Sequence, residues 1–181
     1  MLNKAETNLK LDWNDLVIRP VKRADLPDLE WGGAYLKYRR MYASIYRDSQ
    51  RRRILMWIIE HKIQGLVGQV FVLLNSNEPD AADGRTYAYV FAFRIKPVWR
   101  NLGIGSHLMH FVEDDLRDRG FRCVTLNVAK ENMNALRLYQ RLGYQITGSK
   151  PGVWSYEDHT GKTIHIHEPA WRMEKHLNKT T

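Results

Sequence analysis

Apolar residues recur along this chain at two periods, and the period switches at identifiable points. Residues 87–95 (Tyr-Ala-Tyr-Val-Phe-Ala-Phe-Arg-Ile) form a strongly β-like run. Over residues 121–129, Val124, Leu126 and Val128 alternate with Cys123, Thr125 and Asn127, which predicts a second strand. Between these two the period lengthens. Ile104, Leu108, Phe111, Val112 and Leu116 fall on one stripe of a helix predicted over 104–119, and Gly120 ends it. A shorter helix over 132–142 follows the second strand and stops at Gly143.

Upstream, residues 16–21 read as a strand. Asp25 is placed to cap a helix with Pro27 in its first turn, and a second helical stretch covers 34–48. Residues 54–60 and 66–74 read as strands paired across Gln64-Gly65. Residues 75–84 and 149–161 are connections between apolar segments, and two β segments close the chain near 144–149 and 162–174. The central strand–helix–strand unit implies one parallel pair; the hairpin-linked strands before it are antiparallel. The prediction is a single domain over residues 1–181, an α/β (α+β) fold with a mixed, mostly antiparallel central sheet and flanking helices.

At 181 residues the chain can bury a proper core in one domain. No apolar run approaches the ~20 residues that span a bilayer, and residues 1–10 carry neither the apolar core nor the cleavage signature of a leader. Cys123 is the only cysteine, so an internal disulfide is impossible, and a reducing cytoplasm is the natural home. The net charge of +8 is spread out, with local density at Arg51-Arg52-Arg53 and at Lys37, Arg39 and Arg40. No zinc-finger or RNP-type spacing supports a nucleic-acid module, whereas a polyanionic cofactor gains from the same field.

The chemistry concentrates at Arg100-Asn101-Leu102-Gly103-Ile104-Gly105, between the first β run and the long helix. A helix N-terminus presents unpaired N–H groups and a positive dipole end, and glycines let an anion approach the backbone. The loop lacks the Lys-Ser/Thr of a P-loop. It also lacks the third glycine and the later acidic residue of a dinucleotide fingerprint. R-x-x-G-x-G after a strand resembles the acyl-CoA pyrophosphate loop of the GNAT superfamily of N-acetyltransferases. Two further stretches strengthen the resemblance. Ile95-Lys96-Pro97-x-Trp99-Arg100 is similar to that family's lead into the loop. Asn132, Ala135, Leu138, Tyr139, Gly143 and Tyr144 match its N-x-x-A-x-x-L-Y-x-x-x-G-[FY] signature. The close match covers roughly residues 85–148.

The resemblance implies acetyl-CoA as co-substrate, held in a V between strands 87–95 and 121–129 that splay apart. It implies backbone pairing of the pantetheine arm near Phe93 and Ile95. The amides of Arg100, Asn101, Leu102, Gly103, Ile104, Gly105 and Ser106 would take the pyrophosphate, and Asn132 would contact the arm beside the thioester. Tyr139 would serve as general acid to the departing sulfur, although at helical spacing with Ala135 and Leu142 it is also placed to be a core aromatic. The base is less clear. Strand 87–95 contains no Glu or Asp; Glu60 could act through water, and equally reads as an exposed edge carboxylate.

The expected reaction is direct acetyl transfer to a primary amine, a small molecule or a peptide or protein amine. Trp31, Tyr35, Tyr38, Arg39 and Tyr42 lie where the family builds its acceptor pocket, but Tyr35, Tyr38 and Tyr42 at helical spacing equally read as the buried stripe of a helix; if the group lines a pocket, its lack of carboxylates favours an aromatic, anionic or peptide-terminal acceptor over polyamines. The alternatives are a non-catalytic acyl-CoA sensor and a basic nucleic-acid-binding domain. His165-x-His167 places two imidazoles on one strand face without a third ligand, and no metal is expected. A homodimer through the late strands is compatible with the family.

Overall fold

The computed structural model describes residues 11–177. The polar N-terminal stretch 1–10 lies outside the described residues. The elements are β1 (Leu16–Pro20), α1 (Arg39–Gln50), β2 (Ile54–His61), β3 (Gly65–Leu73), β4 (Tyr87–Ile95), α2 (Ile104–Asp118), β5 (Cys123–Ala129), α3 (Met133–Arg141), β6 (Gln145–Lys150), β7 (Val153–Glu157), β8 (Thr163–His167) and β9 (Ala170–His176). Seven strands form one sheet in the order β1-β2-β3-β4-β5-β9-β6, and β7 and β8 form a separate hairpin. Every pairing is antiparallel except β4–β5. The mixed, mostly antiparallel sheet expected from the element order is therefore present.

The sheet separates two apolar clusters. On one face Val90, Phe93 and Ile95 of β4 pack with Leu108, Met109, Val112 and Leu116 of α2 and Leu136 and Tyr139 of α3. The four α2 side chains are fully buried, and each contributes about 2 kcal/mol by leaving water. On the other face Tyr38, Tyr42 and Ile45 pack with Ile54, Met56, Ile58 and Phe71 of β2 and β3. A bulge in β4 keeps both faces consistent. Gln69 opposes Arg94 and Phe71 opposes Phe91, so Val70 faces two residues, Ala92 and Phe93, and Ala92 has φ 50°. The extra residue sends Phe91 and Arg94 to the α1 face, and Phe93 and Ile95 to the α2 face.

The structure corrects three local expectations. Asp25 does not cap a helix. Its Oδ2 accepts from the Lys22 amide at 2.6 Å within a single 3₁₀ turn, and Arg19 grips its carboxylate. The helix expected from residue 34 starts at Arg39. Trp31, Gly32 and Gly33 all have positive φ (50°, 66° and 105°), which breaks the helical path, and only 3₁₀ turns precede α1. The connection read over 149–161 contains β7, paired along its length with β8. The segment read over 162–174 is two strands, β8 and β9, interrupted at Glu168-Pro169 where proline has no N–H to donate.

Candidate active site

The β4–β5 ladder runs only from Tyr87↔Cys123 to Val90↔Leu126. Beyond it β4 continues to Ile95 and β5 to Ala129 without pairing to each other, while each keeps its outer partner, β3 or β9. The two strands thus open a V whose β4 edge, from Phe91 to Ile95, carries free backbone groups. Phe93 and Ile95, expected to line the cofactor's arm, sit on that edge.

The chain leaves β4 through a 3₁₀ turn at Pro97–Trp99 and enters α2 through the glycine loop. Arg100 closes this passage: its Nε donates to the Ile95 carbonyl at 2.9 Å. Asn101 (φ 63°) and Gly103 (φ 81°) both adopt the left-handed conformation, which folds the loop back over the helix start. Gly103 caps α2 without any side-chain bond, and the first helical bond is His107 N–H to the Gly103 carbonyl at 3.0 Å. Among the described residues the N–H groups of Asn101, Leu102, Gly103, Ile104, Gly105 and Ser106 reach no backbone carbonyl. The Arg100 amide differs from the expectation, since it donates to Pro97 at 3.2 Å and is already satisfied. Six unpartnered amides at a positive helix end form a cradle that fits a diphosphate. Gly105 lets the cradle approach β4 closely. A Cβ there would lie 3.3 Å from Phe93 Cζ and 3.7 Å from Leu138 Cδ2.

Phe93 joins the loop to α3, its ring centroid 6.2 Å from that of Tyr139. Tyr139 is 7% exposed, and its hydroxyl forms no hydrogen bond with any described residue. Burial and the nearby Tyr89 phenol push the Tyr139 phenol well above its ordinary pKa of 10.0. Asn132 caps α3, its Oδ1 accepting from the Ala135 amide at 3.1 Å, which leaves its Nδ2 as the free donor.

Glu60 is held elsewhere. Its two oxygens accept from Arg19 Nε (2.8 Å) and Nη2 (2.7 Å), and Arg19 also binds Asp25 at 2.7 and 2.9 Å. Glu60 lies on β2, two strands from the V, with both oxygens engaged as acceptors. Cys123 is buried, and burial pushes its thiol up to about 11, an unreactive state at neutral pH. His165 and His167 are exposed on β8, and the described residues hold no cluster of three metal-ligating side chains.

On the α1 face, sequence reasoning missed a second polar group. Arg94 is partly buried there. Its guanidinium lies 4.3 Å from the Tyr35 ring centroid and 5.5 Å from that of Tyr38, and its Nη1 donates to the Tyr42 hydroxyl at 3.0 Å. Opposite it on β3, Gln69 is fully buried with both side-chain amide atoms unpartnered. Tyr89, Asn127 and Arg172 line a separate cleft of about 270 Å³ with Ser76, Glu78 and Ala81. For Arg94 and Gln69 the signal was a lone polar residue inside an otherwise apolar strand. Arg39, grouped with the aromatics from sequence, is instead paired with Glu30 at 2.6 Å.

Comparison with known proteins gives the family and the fold. An uncharacterised N-acetyltransferase of Methanocaldococcus jannaschii is 30% identical over 138 residues, covering 71% of this chain and 60% of that protein. A mycothiol acetyltransferase of Cellulomonas flavigena is 33% identical over 84 residues, covering 45% of this chain and 24% of that protein. The chain thus spans about a quarter of the length of the mycothiol enzyme. Arabidopsis thaliana NAA60 in complex with acetyl-CoA superposes with a TM-score of 0.69 at 20% identity, over 90% of this chain and 99% of that one. The family model described as "Acetyltransferase (GNAT) family" matches residues 21–144, a span that holds the V, the glycine cradle and Tyr139, and the chain belongs to that family.

Proposed function

We propose that this protein is an N-acetyltransferase that moves an acetyl group from acetyl-CoA to a primary amine within a ternary complex. One observation carries the reading: the unpaired edge of β4 runs directly into six unpartnered amides, with Tyr139 beside the same strand. The cradle of Asn101–Ser106 would hold the pyrophosphate. The edge at Phe93 and Ile95 would pair with the pantetheine amides, and Asn132 Nδ2 would bond the arm. Bound acetyl-CoA supplies a thioester, an acyl group activated toward nitrogen.

Tyr139 holds a phenolic proton for the sulfur as the carbon–sulfur bond breaks and the carbon–nitrogen bond forms. The proton leaving nitrogen passes to solvent, and the phenolate regains its own from water. The free N–H groups of the β4 edge are placed to stabilise charge on the carbonyl oxygen. Much of the acceleration comes from holding amine and thioester together. With Glu60 engaged by Arg19, the amine enters as the free base.

The lone buried Cys123 fits a cytoplasmic home, and no described helix is long and apolar enough to cross a membrane. We read the chain as one domain, since its sheet takes strands from both ends of the described residues. The β6 edge of that sheet, with mostly exposed side chains, is where a second copy would pair.

Calorimetry with CoA and acetyl-CoA, followed by an amine panel read by free-thiol release, tests the proposal. Micromolar binding and thiol release with an amine are expected. Binding without release from any amine would instead indicate an acyl-CoA sensor, and no heat on folded protein would end the case.

A further inference from the structure

We infer that the acceptor amine carries a carboxylate close to its nitrogen, and that Arg94 binds that carboxylate on the α1 face of the sheet. This inference rests on the transferase reading and names the substrate class of the same site. The β4 bulge is what makes it possible. By inserting Ala92, it directs Phe93 toward Tyr139 and the next residue, Arg94, to the opposite face at the mouth of the V. An acceptor arriving from the α1 side would therefore meet the thioester and Arg94 within one residue of each other along β4.

The surroundings of Arg94 are those of a receptor for an anion. A partly buried guanidinium ordinarily pairs with a carboxylate, because an unpaired charge away from water is costly. Two other arginines of this face show the rule: Arg19 holds Asp25 and Glu60, and the buried Arg172 lies 3.7 Å from the Glu174 carboxylate. Arg94 has no carboxylate partner among the described residues. Its contacts are the two tyrosine faces and one tyrosine hydroxyl, which fix the guanidinium plane and leave its remaining N–H donors unassigned. Tyr42 is held in turn by its fully buried ring. Glu168, exposed at the β8–β9 corner, is near enough to raise the Tyr38 phenol but forms no ion pair with Arg94.

The buried Gln69 amide, opposite Arg94 in the β3–β4 register and beside the Tyr42 hydroxyl, makes no well-formed hydrogen bond and is a second sign of an incomplete polar site. The planar, pre-oriented fork of an arginine suits bidentate capture of a carboxylate. The lining of Tyr35, Tyr38 and Phe91 supplies an apolar wall beside it, so the fitting class is an amino acid or a comparably small amino carboxylate with an apolar side group.

The test uses the full chain and three matched sets: the L-amino acids, their carboxamides, and the decarboxylated amines, each with acetyl-CoA and read by thiol release and product mass. At least one acid is expected to exceed its carboxamide about tenfold or more in kcat/KM. In Arg94→Gln that acid-to-amide ratio should collapse, with the loss carried by a KM rise of about 10- to 100-fold for the acid, the range for one charge-assisted contact. Arg94→Lys should restore part of it. Acetyl-CoA binding by calorimetry checks that both variants fold.

Equal losses for acid and amide in Arg94→Gln, or a panel led by carboxamides, decarboxylated amines or added polyamines, would overturn the inference. So would acetyl-CoA binding with no turnover of any carboxylate-bearing amine, which leaves the cofactor site standing. Failure to bind acetyl-CoA would bring down the transferase reading itself, a separate result.

Discussion

Tyr139 combines a ring buried against Phe93 and Tyr144 with a hydroxyl that no described residue engages. Its ring packing and its proton are therefore separable. In Tyr139→Phe the ring stays, so the thermal midpoint should move little, while kcat falls by about 100-fold, the lower range for a general acid. Unchanged turnover would return Tyr139 to the core. The raised phenol pKa also sets a pH profile. A phenol is the useful acid only while protonated, and raising its pKa extends that form upward beyond the ordinary 10.0. The rate should climb with pH as the acceptor amine loses its proton, with no alkaline fall below about pH 10; a falling limb centred near pH 8 contradicts the assignment. Asp25 gives a prediction of the opposite sign. Arg19 holds its carboxyl below the usual 3.8, so its stabilisation is complete above that value and disappears as pH drops through the lower folded value. Asp25→Asn should cost about 1 kcal/mol in urea unfolding at pH 7, and the gap to the parent protein should close as the medium is acidified below pH 3.8.

Elements are tied together in this fold by a few buried polar contacts that periodicity does not reveal. Glu113, 3% exposed on α2, accepts from Lys175 Nζ of β9 at 2.6 Å, and Lys175 lies over the Tyr144 ring. Burial pushes the Tyr144 phenol up, and the Glu113 carboxylate beside it adds to the shift by disfavouring phenolate. Lys175→Met should cost about 3 kcal/mol by stranding a buried carboxylate, and Glu113→Gln added to it should recover much of the loss; additive costs in chemical denaturation would refute the coupling. The apolar period of α2 gives no sign of Glu113's burial. What was legible was whatever local periodicity or turn chemistry controls: β4, α2, β5 and α3 appear within two residues of their predicted bounds, and the glycine loop leads into α2. What was not legible depends on contacts distant in sequence. Asp25 carries the signature of a cap, yet Arg19 captures its carboxylate and Lys22 its second bond. Helical spacing of Tyr35, Tyr38 and Tyr42 suggested one helix, but the positive-φ run at Trp31 to Gly33 lets only Tyr42 lie inside α1. β7 reads as loop because its residues are mostly exposed and pair only with β8. Glu60 looked free because its partner sits 41 residues away on β1.

At the scale of the whole molecule, the sheet is two antiparallel halves, β1–β4 and β5-β9-β6, joined by only four parallel residue pairs. Beyond that short seam the V leaves a row of β4 groups and six loop amides without partners, in a protein whose net charge is +8. An open seam of this kind is a low-stability region, and a ligand that bonds both sides should stabilise it and the molecule together. CoA at 100 times its Kd should raise unfolding free energy by about 2.7 kcal/mol if it binds only the folded chain. Hydrogen exchange locates the gain. The amides of residues 101–106 and of the β4 edge beyond Val90 should exchange fast in the free protein and slow on adding CoA, whereas the β2–β3 amides should be slow in both states. Because a polyanion is drawn by the positive field as well as by the cradle, affinity should weaken between 50 and about 500 mM salt while the protection pattern stays the same. Desulfo-CoA, which keeps the diphosphate and lacks the thiol, should protect the same loop amides. Protection centred instead on Arg51–Arg53, vanishing entirely at high salt, would mean that CoA is attracted by surface charge alone and that the V is not its site.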